Sequence, residues 1–308
     1  MDIITNLSQV KLSQTVATIG FFDGVHLGHR SLIEQVVKIA HELKQPSLIV
    51  TFSEHPRKVL AADYQPELLN TLNEKLCLLA KCNPDYCYTL KFNKEMAKLT
   101  YQEFMRVYLK DKLHVSTLVV GYDHHFGCNA PSCFEEYKEY GKSIGMDVIQ
   151  ADKYVLDGES VSSSAVRFCL QVGNVEKAAH LLGYAYSLEG KVIAGSHLGH
   201  RFGFPTANMD IQKFHKMMPM DGAYAVKVEV NNQTFAGMAY IGRRPTIDRE
   251  GRRSFEVHIL NFSNDIYNEP LHVEFIRRLR AEKHFDTVDG LMEQLKKDMA
   301  KVEQILDV

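Results

Sequence analysis

The stretch TIGFFDGVHLGHRSLIEQV, residues 18–36, decides how the first half of the chain folds. Apolar residues 16–22 read as a buried strand, and the helical recurrence of apolar positions over 30–43 reads as an amphipathic helix. Between them stand Asp23, Gly24, His26, Gly28 and His29. Gly24 and Gly28 let the backbone approach a ligand closely, and His29 falls at the edge of the first helical turn. A helix N-terminus presents unpaired N–H groups and a partial positive charge, so the junction suits an anion, phosphate above all. His26 and His29 add donors without a fixed charge, which fits a phosphate whose charge grows during transfer.

The same alternation runs onward from this stretch. PSLIVTF (46–52) is a second strand, ELLNTLNEKLCLLA (67–80) a helix, 86–90 a strand and TYQEFMRVYLK (100–110) a helix. STLVV (116–120) is a strand that empties into GYDHHFG, and CFEEYKEYGKSIG is another helix. Successive βα units predict an α/β fold with a doubly wound parallel sheet, and ligands at the carboxyl ends of its strands. Three further polar clusters fall there or open helices: His55 with Arg57, Asp123 with His124 and His125, and Ser162, Ser163 and Arg167 in SSSAVR. Together they suit a nucleotide.

From Ser187 the texture changes. AYAVKVEV, TFAGMAYIG and SFEVHIL alternate, are rich in β-branched and aromatic residues, and are separated by Gly, Asn and Asp. Asn231 and Asn232 supply a hairpin turn, because asparagine tolerates positive φ. This half reads as a small antiparallel β-barrel closed by one helix over 287–306, with Leu291, Leu295, Met299, Val302 and Leu306 as its core face. Two domains follow, 1–184 and 185–308. In GHRFGFPTANMD (199–210), a proline fixes an extended loop that brings the oxygens of Thr206 and Asn208 within reach of a hard cation.

Composition narrows the partners. With 308 residues, 45% hydrophobic and 24% charged, the chain is long enough for two cores of a soluble protein. A net charge of −2 removes the broad electrostatic case for nucleic acid. No apolar run is long enough to cross a bilayer and the N-terminus lacks a secretory pattern, so a cytoplasmic, non-membrane protein is expected. The six cysteines form no C-x-x-C pair and are expected as free thiols.

GFFDGVHLGH, GYDHHFG and SSSAVR resemble motifs of the nucleotidylyltransferase domain of the prokaryotic bifunctional riboflavin kinase/FMN adenylyltransferase (FAD synthetase) family. GFPTAN, GAYAV, YIGRRPTI, SFEVHIL and VEFIRRLRAEKHF resemble, in order, its riboflavin kinase barrel. The resemblance implies ATP-dependent phosphorylation of riboflavin to FMN, then adenylylation of FMN to FAD. It implies that His26 and His29 stabilise charge on the ATP phosphates, that Ser162, Ser163 and Arg167 hold those phosphates, and that Asp123 lies near the nucleotide. For the second half it implies Mg²⁺ and ATP phosphates at Thr206 and Asn208, with Glu256 as general base. Two alternatives stand beside it. One is a riboflavin kinase whose first domain is inactive, since His125 stands where the family often has arginine and the loop at Cys128–Cys133 departs from its pattern. The other is a non-catalytic flavin- or nucleotide-binding regulator.

Overall fold

The structure, a computed structural model, describes residues 1–9, 12–60, 63, 65–122, 126–131, 133–195, 203–210, 216–243 and 253–308. The chain packs as two units, Met1–Ser163 and Ser164–Val308.

In the first unit, β1 (Asp2–Ile4), β2 (Thr15–Ile19), β3 (Ser47–Phe52), β4 (Tyr86–Leu90), β5 (Val115–Val120) and β6 (Asp147–Gln150) form one parallel sheet. Its order is β1-β4-β3-β2-β5-β6. Helices cross between the strands: α1 (Leu27–Leu43), α2 (Pro56–Leu60), α3 (Leu72–Ala80), α4 (Tyr101–Glu103) and α5 (Phe134–Ser143). Every residue of β2 is buried, as a central parallel strand covered on both faces requires. Ala17, Ile19, Leu48, Val50, Leu118 and Val120 pack with Met105, Leu109 and Tyr137 in one core. The chain steps from β2 through β3 to β4 on one side, then returns to place β5 on the other side of β2. Strand order therefore reverses beside β2, and the crevice at such a reversal is where open α/β sheets bind ligands. The loop leaving β2 is residues 20–26, the stretch that the sequence singles out.

Strand β2 ends at Ile19 and not at 22, since the chain turns at Phe22 with φ of 55°, and α1 begins at Leu27, where His26 caps it, and not at 30. Two further expected helices differ. Helix α3 begins at Leu72, not at 67, because Thr71 and Glu74 form a reciprocal capping box that starts it there. The backbone N–H groups of Leu69 and Asn70 bond the Asp23 carboxylate instead of entering a helix. The helix expected over 100–110 is α4 followed by a π-helix, Phe104–Lys112. Residue propensities do not distinguish the π spacing. A two-stranded hairpin, β7 (Val155–Leu156) and β8 (Glu159–Ser160), precedes α6 (Ser163–Gln171).

The second unit is a closed barrel in the order β10-β13-β12-β11-β14-β9, with all neighbours antiparallel. Its strands are β9 (Ser187–Ile193), β10 (Ala207–Met209), β11 (Gly222–Val230), β12 (Gln233–Arg243), β13 (Arg253–Ile259) and β14 (Pro270–Ala281). Asn231 and Asn232 turn the β11–β12 hairpin with φ of 52° and 61°, as their tolerance of positive φ predicts. Phe255, Tyr224 and Phe275 pack together within the unit. The C-terminal helix α8 (Val288–Leu306) lays Val302, Leu295 and Met299 over Ala225, Met238 and Leu260. Helix α7 (Val175–Leu182) packs against β14, so by packing α6 and α7 group with the barrel.

Two candidate active sites

In the first unit the chain leaves β2 in a strained turn: Phe22, Gly24 and Val25 all have positive φ, at 55°, 83° and 35°. Only Gly24 adopts such a conformation freely, so Phe22 and Val25 persist because their surroundings fix them. Asp23, 4% exposed, accepts from the backbone N–H of Leu69 at 3.0 Å and of Asn70 at 3.3 Å. Its own carbonyl accepts from the Ser163 hydroxyl at 2.8 Å, which fixes the first residue of α6 at this loop. The turn delivers His26 to the N-cap of α1, where its Nδ1 accepts from the His29 N–H at 3.2 Å. The two imidazoles stack with centroids 3.6 Å apart and planes 17° apart, and Phe22 meets His29 edge-on. Gly28 packs close, since a Cβ there would lie 3.3 Å from the His26 ring and from the Val161 carbonyl oxygen. His26, His29, Gly24, Gly28 and Ser163 thus gather around one helix N-terminus, with Ser162 beside them in sequence.

Arg167 stands one turn further along α6. Asp123, with His124 and His125, lies outside the described residues. His55 contacts Phe21 edge-on at 4.6 Å. Sequence reading passed over Lys75, which is 4% exposed and whose ammonium donates to the carbonyls of Phe21 and Phe52. The signal was present: Lys75 occupies a core-facing register of α3, three residues after Leu72 and four before Leu79.

In the barrel, Glu256 of β13 lies directly opposite Asn208 of β10 and, on its other side, Tyr240 of β12. The alternation expected for SFEVHIL shows in burial only through its first part: Phe255 and Val257 are buried and Glu256 is partly open, but His258 and Leu260, on the same strand face as Glu256 by alternation, are buried as well. Thr206, just before β10, donates its hydroxyl to Glu256 Oε2 at 3.4 Å. The preceding loop is held by His258, whose Nδ1 donates to the Pro205 carbonyl at 2.8 Å and whose ring meets Phe204. Gly195 comes so close that a Cβ there would overlap the Asn208 amide. The Thr206 hydroxyl, the Asn208 amide and the Glu256 carboxylate stand at neighbouring positions and bring three kinds of oxygen, a set suited to a hard cation shared with substrate phosphates. Among the described residues no three His, Cys, Asp or Glu side chains cluster to hold a metal by themselves. Beside Thr206 opens a cavity of about 440 Å³, lined by Val192, Pro205, Val257, Ile259 and Tyr267 among others. That is the size and apolar character of a small-molecule site.

The six cysteines are free thiols, and no described helix is long and apolar enough to cross a membrane.

Comparison with known proteins divides along the same lines. Residues 8–165 match the family model for FAD synthetase, and residues 182–306 match that for riboflavin kinase. The bifunctional riboflavin kinase/FMN adenylyltransferase of Escherichia coli K12 is 35% identical over 96% of this chain and 94% of its own. The protein of that name from Listeria monocytogenes is 36% identical over 92% of this chain and 90% of its own. A solved structure from Streptococcus pneumoniae, described as a macrolide-efflux protein, superposes with a TM-score of 0.87 at 31% identity over 98% of both chains. With both models matched in chain order and full-length relatives of that name, the chain belongs to the bifunctional riboflavin kinase/FMN adenylyltransferase family and carries both activities of flavin cofactor biosynthesis.

Proposed function

We propose that the two activities divide between residues 1–184, which adenylylate FMN, and 185–308, which phosphorylate riboflavin. In the first reaction a phosphate oxygen of FMN attacks the α-phosphorus of ATP in line. A new P–O–P linkage forms as the bond to the leaving pyrophosphate breaks. The observation that carries this reading is the stacked His26–His29 pair on the N-terminus of α1, at the switch point of the sheet. His26 and His29 supply N–H donors to the phosphate oxygens as their charge grows, the helix N-terminus adds its partial positive charge, and no protein nucleophile is needed. Gly24 and Gly28 keep the backbone close to the phosphates. Ser162, Ser163 and Arg167 hold them, and Asp123 contacts the nucleotide.

In the second reaction the terminal ribityl hydroxyl of riboflavin attacks the γ-phosphorus of ATP. Its proton passes to the Glu256 carboxylate, the bond to the β-phosphate oxygen breaks, and FMN and ADP result. Thr206 and Asn208 would hold Mg²⁺, which when bound neutralises charge on the ATP phosphates. The cavity beside Thr206 has room for part of the nucleotide. The Thr206–Glu256 contact and the register of Asn208 against Glu256 support this grouping, because they put base and phosphate ligands on neighbouring positions. The partners in this reading are the small molecules riboflavin, FMN and ATP, with neither nucleic acid nor membrane, in the cytoplasm.

A chromatographic time course of purified protein with Mg²⁺, ATP and riboflavin tests the whole reading. FMN that rises and then converts to FAD is expected. FMN that only accumulates would overturn the roles given to His26 and His29, and omission of Mg²⁺ without effect would overturn the metal site.

A further inference from the structure

A buried lysine that the reaction does not consume sits behind the first site. Lys75 is 4% exposed, on the first turn of α3, and its ammonium donates to two carbonyls at once: Phe21 at 3.0 Å and Phe52 at 2.9 Å. Phe21 belongs to the turn leaving β2, and Phe52 is the last residue of β3. The ammonium also lies 4.3 Å from the centre of the Phe21 ring. Such a group is costly to bury, and burial lowers its pKa to about 8, with the Asp23 carboxylate working the other way. A surface lysine bears no such cost.

The contacts of Lys75 converge on the strained turn. The Phe21 carbonyl accepts from a second donor, the Thr51 hydroxyl at 3.2 Å, so that one oxygen is held from two sides. The next residue, Phe22, has φ of 55° and places its ring against His29. Phe21 itself places its ring against His55. Asp23, one residue on, is held by the N–H groups of Leu69 and Asn70, immediately before the capping box that starts α3. Helix α3 therefore grips the turn at both ends, by Lys75 on Phe21 and by the segment before its N-cap on Asp23. A backbone in sparsely populated φ/ψ space holds only when it is over-determined in this way.

We infer that Lys75 is a positioning residue for adenylyl transfer: by clamping the Phe21 and Phe52 carbonyls it holds the turn that sets the His26–His29 pair on the N-terminus of α1. This rests on the reading that His26 and His29 serve adenylyl transfer, and it goes beyond that reading by naming what holds them. Lys75 touches neither substrate nor reacting atoms in this role. Its removal lowers the rate of the chemical step while leaving ATP affinity nearly unchanged, because misplaced donors lose the transition state more than the ground state.

The full-length chain supplies its own control, since riboflavin phosphorylation reports on the other unit. Lys75→Met is expected to lower kcat for FAD formation from FMN by about 10²-fold, with KM for ATP within about threefold, as for donors displaced by roughly 1 Å. Riboflavin phosphorylation should stay within twofold. Lys75→Arg, which keeps the charge and the N–H donors, should recover part of the loss. Thr51→Val removes the weaker donor to the same carbonyl at constant volume. It should lower kcat several-fold in the same pattern, and it decides the matter if Lys75→Met does not fold. A folded Lys75→Met protein with kcat within twofold of the parent, or Thr51→Val with unchanged kcat, would overturn the proposal. His29→Ala run alongside separates the two levels: if it too forms FAD at the parent rate, the site reading itself has failed, and the role of Lys75 with it.

Discussion

Gly195→Ala provides a sharp test of the barrel site, because the structure gives it a single consequence. An alanine Cβ at this position would overlap Asn208 Nδ2 and lie 2.7 Å from its Cγ, where ordinary contacts begin at 3.4 Å. The backbone at Gly195 is outside the left-handed region, so alanine is not strained by its own conformation. What meets the new methyl is the end of a flexible side chain, and the amide swings away while the barrel stays folded. Asn208 keeps its strand register opposite Glu256, but its amide leaves the position from which it is proposed to meet the phosphates. Displacing a substrate-positioning group by about 1 Å costs on the order of 10²-fold in rate. This corresponds to about 3 kcal/mol of transition-state stabilisation. The assay is FMN formation from riboflavin, with FAD formation from supplied FMN as internal control. Asn208→Ala should lose a similar amount, and the double variant no more than the larger single loss, because both act through one amide. Gly195→Ala with phosphorylation within threefold of the parent would refute the reasoning. So would a double variant whose losses multiply.

Three further outcomes are expected. Glu256→Gln should lower riboflavin phosphorylation by about 10²- to 10⁴-fold, the usual value of a general base, while FAD formation from supplied FMN is unchanged in the same assay. Arg280→Ala should destabilise the barrel by about 3–5 kcal/mol in urea melts, because it leaves the fully buried Asp298 carboxylate with only the Gln294 amide in place of its 2.7 Å ion pair. Lys75 has a folded pKa of about 8, below its ordinary 10.5, so the folded state releases this proton first. Stability contributed through Lys75 therefore rises as pH climbs from about 8 to 10.5, by about 3 kcal/mol at most, and is flat below 8. Urea midpoints of the parent and Lys75→Met proteins at pH 7.5 and 9.5 check the sign; Cys87, pushed up to about 12 by burial, lowers stability above about pH 9 in both proteins and so drops out of their difference. A gap between the two that stays constant would count against it.

Much of the fold was legible in local pattern. Strand β2, helix α1, the Asn231–Asn232 hairpin and the apolar face of α8 are each written in the period of apolar residues or in the φ tolerance of a turn residue, and such signals act over a few neighbours. The π-helix and the late start of α3 were not legible. The first is a choice among hydrogen-bond spacings that residue types barely separate. The second depends on Asp23, far away in sequence, taking the N–H groups of Leu69 and Asn70. For the sites, residue type and spacing pointed to His26, His29, Thr206 and Asn208, whereas Glu256, one polar residue on an alternating strand, was named by the resemblance to the riboflavin kinase barrel alone.

By itself, then, the sequence determined the two-part architecture, the order of elements and the residues able to meet phosphate or accept a proton. Only the tertiary structure decided what stands next to what. It set Glu256 between Asn208 and Tyr240 across three strands, stacked the two histidines at 3.6 Å, and put a charged lysine under the turn that carries them. The physical reason is that periodicity encodes burial, which is local and averaged over many residues. A hydrogen bond such as Lys75 to Phe21 joins positions 54 residues apart and exists only once the sheet has brought them together.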